Sequence, residues 1–576
     1  MSIEWHRKVV KFVSYSVQSE SEQLTNNSDK AVKITPLMRF NMIVRAFSNS
    51  SILRYVEQPA TNKHKGEVKP TDVIRIFNPI NFMWEDMTDT LNSILAEVSP
   101  VPTTNNDTLK LARYIEAYLR ASGDTVPQPY NGSRYLLFKN GVFDSKTKML
   151  VPDLYAELDI NYDSAHSMKM PIPSESGLEI NGKLTSIFEV GFTPKHMHNV
   201  DLILDAKMPS YKGGQNHEWT PEGWLQRVAG NDAVQAEYIA QIMGVMLVPN
   251  HSFNMFIEIN GAPHSGKTTL IEIVRSIYAG NYGFSEQVLF GKLISELDDN
   301  IPFRGNVNED TALVHVTETN GAGITSGGIS LINSFANQHM SIMQMGASSL
   351  TLTPPPILVM EGKGWAMFDS VKTGVARRLL PIDISNSETA EYTCAQYGKQ
   401  VFNQKAVIEY LTARVVTAYA ELTNGNDNFI FNIDNPKTLP EFAQIWHNDA
   451  VNAGDESVVE FIERMRHAMT RNGGGISMKM LYEIYEASAK TDDENAFIRN
   501  FNSFKEIIFN KLGKFFNFEH LEHETRVTTE EQLAIDVEEL EKRMAVPDSL
   551  RNYKRSNYSK YIRNDWYTVT IKDVEA

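Results

Sequence analysis

Residues Ser252–Gly280 read SFNMFIEINGAPHSGKTTLIEIVRSIYAG, and this stretch gives the clearest indication of a fold class in the chain. The apolar run Phe253–Ile259 predicts a buried strand, and the apolar spacing after the turn predicts an amphipathic helix that ends at Gly280. The turn, residues 261–268, matches the pattern G-x-x-x-x-G-K-S/T at every fixed position. The order of strand, glycine-rich turn and helix therefore predicts an α/β domain built on a P-loop.

The chemistry expected of this turn is the binding of a nucleoside triphosphate. Its glycines allow successive backbone N–H groups to point at one spot, and the helix N-terminus adds its positive end there. Lys267 can reach the β- and γ-phosphates, and the Thr268 hydroxyl can ligate Mg²⁺. We therefore expect ATP and Mg²⁺ as cofactors. The predicted binding residues are Gly261, Ala262, Pro263, His264, Ser265, Gly266, Lys267, Thr268 and Thr269.

The composition limits the class of partner. The chain has 576 residues, enough for about four domains. Its net charge is −16, from 71 acidic and 55 basic residues, whereas proteins that coat nucleic acid are usually basic, so we expect any nucleic-acid contact to be local. Cys394 is the only cysteine, which excludes a disulfide framework and a cysteine-based zinc site. Because no apolar run could span a bilayer and no signal peptide is recognisable, we expect a cytoplasmic protein without a membrane partner.

Acidic and basic residues follow the P-loop at positions where nucleotide hydrolysis uses them. Thr311–Glu318 predicts a second buried strand, and a carboxylate at its end can orient Mg²⁺ or polarise the attacking water; the alternative is a strand that simply ends in solvent. A third strand, Ile357–Met360, is followed by Glu361. Arg377 and Arg378 precede a fourth apolar run and are candidates for an arginine finger, or alternatively a salt-bridged surface pair. The predicted catalytic residues are Lys267, Glu318, Arg377 and Arg378, and the predicted metal ligands are Thr268 and Glu318.

Two hairpins and a pair of helices are also predicted near the P-loop. Residues 134–152 predict a hairpin, because apolar runs flank the turn signal Asn140-Gly141. Trp224–Leu247 predicts helices interrupted at Asn231-Asp232, just before the P-loop strand. Met340–Thr353 predicts a second hairpin.

The C-terminal part of the chain suits a DNA-binding module. Ser457–Met469, Ser477–Ala489 and Phe504–Phe516 predict three helices, and with the β-like stretch after them they favour a winged helix. Residues 551–563, RNYKRSNYSKYIR, carry five basic residues, three tyrosines and no acid. This composition suits contact with a nucleic-acid backbone and stacking on bases, although a solvated surface helix is the alternative.

In the order of these parts the chain resembles superfamily 3 DNA helicases of the phage, plasmid and poxvirus primase–helicase kind, including replication proteins of phage satellites. The resemblance covers roughly residues 110–520. Its motifs are RYLLFKNGVFD, GWLQRVAGNDAVQAEYIAQIMGVML, GAPHSGKTTL, LVHVTETNGAGITSGG, ARRLLPIDI, SVVEFIERM and GISMKMLYEIYEAS. In this family a polar sensor residue, usually Asn, follows the third strand, where this chain has Glu361, and the pore hairpin usually carries a lysine, whereas Ser341–Thr353 has no basic residue.

The resemblance implies an AAA-type ATPase domain in a hexameric ring that draws single-stranded DNA through its pore. Each ATP would lie between two subunits, with Lys267, Thr268 and Glu318 on one side and Arg377 or Arg378 reaching from the neighbour. Four regions follow from this. They are an N-terminal α+β domain (1–222), the AAA-type ATPase core (223–395), a helical lid or linker (396–454) and a winged-helix-like DNA-binding module with a basic tail (455–576).

We therefore expect an ATP-dependent DNA helicase and replication initiator, active in the replication of a phage or mobile element and located in the host cytoplasm. Its expected partners are single-stranded DNA, double-stranded origin DNA and further copies of itself. Two alternatives remain open. One is an origin-binding initiator whose ATPase controls assembly without unwinding. The other is an AAA-type motor that acts on protein or in DNA packaging.

Overall fold

A computed structural model of the protein combines helices with one parallel sheet and several small antiparallel sheets. The residues that it describes are 3–26, 33–48, 53–55, 74–78, 83–86, 88–98, 104–123, 125–127, 130–152, 178–180, 183–185, 190–214, 217–249, 253–280, 288–291, 307, 310–317, 319, 323–324, 326–337, 340–342, 350–368, 375–389, 391–431, 439–452, 456–470, 474–492, 501–512, 516–520, 533–542 and 566–571.

The first elements place helices against a three-stranded antiparallel sheet. They are α1 (Ile3–Asn26), α2 (Pro36–Ser48), β1 (Leu53–Tyr55), β2 (Ile74–Asn78), β3 (Met83–Asp86), α3 (Thr88–Val98) and α4 (Asn105–Ser122). Their apolar faces meet in one core that contains Val13, Ile43 and Leu91, all fully buried. The last of these helices is α4. It ends at Gly123, whose φ of +76° is a left-handed conformation that glycine adopts without strain.

The predicted hairpin over 134–152 is confirmed, and a third strand extends it. The strands of this region are β4 (Tyr135–Phe138), β5 (Gly141–Asp144), β6 (Met149–Pro152), β7 (Leu178–Ile180), β8 (Lys183–Thr185) and β9 (Met197–His198). The sheet has the order β6-β5-β4-β9, with β9 parallel to β4. Arg134 and Asp144 form a buried bidentate ion pair across it, with distances of 2.7 and 2.8 Å. Within the part of the chain that is described, β7 and β8 form a separate two-stranded sheet.

The segment before the P-loop strand contains a short ribbon and two capped helices. These are β10 (Tyr211–Lys212), β11 (Glu218–Trp219), α5 (Pro221–Val228) and α6 (Ala233–Val245). The Thr220 side chain accepts a hydrogen bond from Gly223 N, and Asp232 accepts from the first N–H groups of α6. The predicted interruption at Asn231-Asp232 is therefore confirmed and has a physical cause, since Asp232 caps the second helix and Asn231 has a positive φ of 64°.

The P-loop strand lies inside a five-stranded parallel sheet. The elements from here are β12 (Phe256–Asn260), α7 (Lys267–Ala279), β13 (Val288–Gly291), β14 (Leu313–Val316), β15 (Gly323–Ile324), α8 (Ser326–Phe335), β16 (Met340–Ile342), β17 (Leu350–Leu352), β18 (Ile357–Gly362), β19 (Met367–Phe368) and β20 (Leu379–Asp383). The sheet order is β13-β14-β18-β12-β20. Most residues of its strands are apolar because both faces are buried, and Glu258, His315 and Glu361 are the buried polar exceptions in β12, β14 and β18.

Two helices that follow the sheet complete this core. They are α9 (Lys405–Thr423) and α10 (Glu441–Asn452). α9 packs closely against α6 at Gly244, where a Cβ atom would stand 2.5 Å from the Cβ of Tyr419. A larger residue at Gly244 would therefore force the two helices apart.

The C-terminal elements form a separate core around a small antiparallel sheet. They are α11 (Glu456–Ala468), β21 (Gly475–Ser477), α12 (Met478–Asp492), α13 (Phe501–Leu512), β22 (Phe516–His520), α14 (Val537–Glu541) and β23 (Trp566–Ile571). β23 is the middle strand, paired with β21 on one side and β22 on the other. Trp566 and Val569 of this strand are buried in the same core as Phe504 and Leu481.

Three sequence-based boundaries need correction. Phe516 begins β22 and does not end the third helix, because its ring packs into the core from the sheet. Glu361 lies within β18, paired with Ile259, and does not follow the strand. The basic stretch 551–563 lies outside the described residues, but β23 follows it, so this stretch is not a free C-terminal tail.

Within the described residues, no helix combines the length and the apolar character needed to cross a membrane.

Candidate nucleotide-binding site

The predicted P-loop lies between β12 and α7, at the edge of the parallel sheet where the strands have their carboxyl ends. Gly266 has a φ of +103°, a conformation that other residues adopt only with strain, and α7 begins at the next residue. The first backbone N–H groups of a helix have no partner within the helix, and they favour a bound anion. The structure thus brings the predicted loop and the predicted helix N-terminus to one place.

Lys267 folds back over the turn from which it starts. Its Nζ donates hydrogen bonds to the carbonyl oxygens of Gly261 and Ala262, at 2.6 and 2.9 Å. Burial lowers the pKa of Lys267, and the negative charge of Glu361 acts in the opposite direction. The ammonium group and the Glu361 carboxylate are therefore close enough to influence each other.

The segment after β20 holds the loop from the other side. The Ser387 hydroxyl donates to Ser265 O at 2.7 Å, and the Thr389 hydroxyl donates to His264 O at 2.9 Å. Sequence reasoning did not identify these two residues, because their place beside the loop depends on the pairing of β20 with β12. They fix the backbone of the turn by binding its carbonyl oxygens.

A cavity of about 620 Å³ opens beside the loop, within the range typical of small-molecule sites. One wall is the P-loop and the start of α7, and the other includes four aromatic residues, of which Trp219, Trp224 and Phe402 are buried. The residues around it are Trp219, Trp224, His264, Ser265, Gly266, Lys267, Thr268, Thr269, Thr389, Tyr392, Thr393, Cys394, Gly398, Lys399, Val401 and Phe402. Six of the nine predicted binding residues are among them, from His264 to Thr269.

The aromatic wall is held in place by backbone groups and by ring contacts. The Tyr392 hydroxyl accepts from Thr220 N and donates to Glu218 O, both at 3.1 Å. The rings of Trp224 and Phe402 meet edge to face with 4.8 Å between centroids. Fixed aromatic faces beside a phosphate-binding loop are suited to a ligand that has an anionic end and a flat ring.

Glu361 is the carboxylate that the structure places beside the loop. Its Oε1 accepts a hydrogen bond from the Thr268 hydroxyl at 3.0 Å, and the buried His315 has Nε2 3.4 Å from the same oxygen. Only 5% of Glu361 is exposed, and its Oε2 has no hydrogen-bond partner in the described part of the chain. Sequence reasoning noted Glu361 only as a departure from the family pattern, although its position at the end of a buried strand was a usable signal.

The predicted catalytic acid, Glu318, lies outside the described residues, so its role stays a prediction. Thr319, one residue further, donates from its backbone N–H to Glu361 O at 3.0 Å. The segment after β14 therefore runs directly beside Glu361.

Thr268 and Glu361 fit a Mg²⁺ site of the kind that nucleotides complete. No group of three or more His, Cys, Asp or Glu side chains in the described ranges could hold a metal alone. Mg²⁺ at nucleotide sites usually takes one or two protein ligands together with phosphate oxygens and water. A hydroxyl beside a carboxylate with one oxygen still without a partner meets that requirement.

The two arginines lie at the end of the sheet opposite the P-loop, just before β20 begins, and their surroundings differ. Both precede β20, whose five residues span about 17 Å before its carboxyl end reaches the P-loop edge. Arg378 donates to the side-chain oxygens of three asparagines, and the bonds run to Asn254 (3.3 Å), Asn333 (2.9 Å) and Asn337 (2.9 Å). Arg377 is exposed and has no partner among the residues that are described. Neither arginine is brought to the P-loop of its own chain.

Comparison with known proteins leaves the family open. No protein-family model matches the chain, and no curated protein matches it. Among solved structures it is similar to the A-form apo structure of the NrS-1 C-terminal region, at 9% identity and a TM-score of 0.32 over 69% of this chain and 82% of that one. A second apo structure of this region, residues 305–718, matches at 9% identity and a TM-score of 0.32 over 68% and 88%. Such a TM-score is too low to establish a shared fold, and these matches carry no argument about activity.

Proposed function

We propose that this chain is an ATP-dependent DNA helicase and replication initiator that works as a ring of identical subunits. The observation that supports it most is the P-loop, whose Lys267 and Thr268 line a cavity of nucleotide size with an aromatic far wall. In this proposal the parallel sheet is the core of an AAA-type ATPase domain. Residues 456–571, three main helices with a three-stranded sheet, are a winged-helix module.

The residues of the loop would divide the work of holding the triphosphate. The N–H groups at the start of α7 and the Lys267 ammonium would bind phosphate oxygens, with Lys267 exchanging its carbonyl contacts for the β- and γ-phosphates. The Thr268 hydroxyl would hold Mg²⁺, which neutralises charge on the phosphates when bound. The rings of the aromatic wall would lie against the base and exclude water from it.

Arg377 is the residue that we propose as the finger. Arg378 is bound within its own chain, whereas Arg377 is exposed at the sheet edge away from the P-loop. In a head-to-tail ring this edge of one subunit can face the P-loop of the next. A guanidinium placed there would stabilise the charge that develops as the γ-phosphoryl group leaves, an effect worth about 10³–10⁵ in rate in other NTPases.

The proposal is tested by measuring ATP hydrolysis with and without single-stranded DNA, together with strand displacement on a forked duplex. We expect the DNA to stimulate hydrolysis and the fork to be unwound. We expect Lys267→Ala to abolish both activities, because the phosphates lose their cation. DNA-stimulated hydrolysis without unwinding would favour the origin-binding initiator. An equal rate of ATP hydrolysis with and without DNA would favour the motor that acts on protein, and it would contradict the helicase proposal.

A further inference from the structure

Glu361 carries a buried carboxylate oxygen that has no hydrogen-bond partner among the described residues, beside the P-loop. A carboxylate that is 95% buried normally has both oxygens hydrogen-bonded, because a buried polar atom without a partner is unfavourable. Here Oε1 binds the Thr268 hydroxyl, and Oε2 has no hydrogen-bond partner within the described residues. In the described residues the Oε2 of Glu258 is buried without a partner as well, so the arrangement at Glu361 points to a ligand because it adjoins Thr268 and the P-loop, and not because of the unpaired oxygen alone.

The neighbours of Glu361 indicate what that ligand is. Its negative charge acts on the Lys267 ammonium, and its Oε1 accepts a hydrogen bond from the Thr268 hydroxyl. A threonine hydroxyl has one proton and two lone pairs, so Thr268 keeps its lone pairs for a cation while its proton is held by Glu361. The three side chains together present positive charge for phosphate, an oxygen ligand for a metal and a free carboxylate oxygen.

We propose that Glu361 is the acidic residue of the Mg²⁺·nucleotide site. It orients the Thr268 hydroxyl as a metal ligand, and its free oxygen accepts a hydrogen bond from a water molecule in the coordination shell of the cation. Outer-shell carboxylates of this kind fix their ligands and raise metal affinity. The inference rests on the proposed function, because it takes the P-loop to bind a nucleotide.

A second buried glutamate in the same sheet provides a matched control. Glu258 lies on β12 beside β18, is 1% exposed, and its Oε1 accepts from Ala366 N at 2.5 Å. Its partner is a backbone N–H group rather than a P-loop side chain. Glu258→Gln and Glu361→Gln are therefore the same substitution at two buried positions of one sheet, and only Glu361 adjoins the loop. Because Glu258 is mostly protonated at pH 7, its variant controls for the loss of a buried carboxyl group and not for the loss of a charge.

The test measures binding of Mn²⁺, as a spectroscopic substitute for Mg²⁺, to the full chain with ADP. Electron paramagnetic resonance gives the Mn²⁺ affinity, and a fluorescent ADP in excess chelator gives nucleotide affinity without metal. We expect Glu361→Gln to lower Mn²⁺ affinity about 10- to 100-fold, whereas metal-free ADP should bind at least as tightly, because a negative charge beside the phosphates is removed. Glu258→Gln should match the wild type in both measurements.

Wild-type Mn²⁺ affinity in a folded Glu361→Gln protein would overturn the inference. If that variant does not fold, Glu361→Asp retains the charge but withdraws the carboxylate by one methylene group, and it must then show weaker Mn²⁺ binding with intact metal-free ADP binding. Unchanged Mn²⁺ binding in Glu361→Asp would equally overturn the inference. A wild-type protein that binds no ADP at all would instead contradict the proposed function, so the two failures are distinguishable.

Discussion

At the scale of single residues, Glu258 shows how burial determines a protonation state. Its side chain comes from the central strand β12 and is 1% exposed, and burial raises its pKa to about 8, with the Ala366 N–H acting in the opposite direction. A carboxyl group with this pKa is mostly neutral at pH 7. It serves as a hydrogen-bond acceptor for the loop between β18 and β19 and not as a charge.

We predict that the stability contributed by Glu258 falls as the pH rises from 4.5 to about 8, the window between its ordinary and its raised pKa. Folding takes up a proton in this window, because the folded state keeps Glu258 protonated where the unfolded chain does not. The slope from this group is at most about 1.4 kcal/mol per pH unit. Glu258→Gln cannot ionise, whereas the buried His196 and His198 contribute equally to both proteins, so the free energy of unfolding of the wild type should fall relative to that of the variant over the same window. Denaturant titrations at both ends of the window measure this, and parallel pH profiles for the two proteins would contradict it.

At the scale of elements, β23 is the strand on which the C-terminal sheet depends. We predict that a chain ending at residue 565 loses the C-terminal core, because β23 lies between β21 and β22 in the described sheet.

By contrast, the triple variant Lys554→Gln/Arg555→Gln/Lys560→Gln keeps β23. It should bind duplex DNA more weakly and with a shallower salt dependence, by about one unit of slope per lost phosphate contact. Hydrogen exchange over residues 456–542 and DNA titrations at several salt concentrations measure the two effects. Unchanged DNA affinity in the triple variant would assign these residues to solvated surface.

The elements that sequence could predict are those specified by neighbouring residues. The P-loop strand and helix, the hairpin at 134–152 and the paired helices α5 and α6 follow from apolar spacing, turn residues and caps within a short stretch. β23, WYTVTI, carries the β-branched and aromatic residues of a strand, but nothing local indicates that it is the middle one.

The contact between Thr268 and Glu361 could not be predicted, because it arises from the pairing of β12 with β18 across about a hundred residues of chain. The same pairing brings the strand end that carries Glu361 to the edge where the P-loop begins. Arg377 and Arg378 are adjacent in sequence and identical in type, so only the three asparagines around Arg378 distinguish them. Sequence reasoning therefore identified the loop that we propose to bind the nucleotide but not the residues that complete its surroundings.

At the scale of the whole molecule, the finger assignment predicts that activity belongs to interfaces between subunits. Arg377→Ala should leave nucleotide binding intact and lower hydrolysis by about 10³–10⁵. Mixed in equal amounts with Lys267→Ala subunits, which keep their arginine, it should recover activity at about a quarter of the interfaces of the ring. ATPase assays on mixtures verified to be co-assembled measure this. If such rings show no recovery, Arg377 does not act on its neighbour.

The P-loop lies at the carboxyl ends of the strands and Arg377 lies at the amino end of β20. Each subunit of the proposed ring therefore has a front face with the P-loop and a back face with the arginine. Subunits that meet through a two-fold axis join front to front or back to back, so such a dimer would contain two half-sites of one kind and no complete one. An open chain of subunits always ends in one P-loop without a finger, whereas a closed ring has as many complete sites as subunits. ATP turnover per subunit would therefore rise when the last gap closes, and hydrolysis itself would report whether the ring is shut.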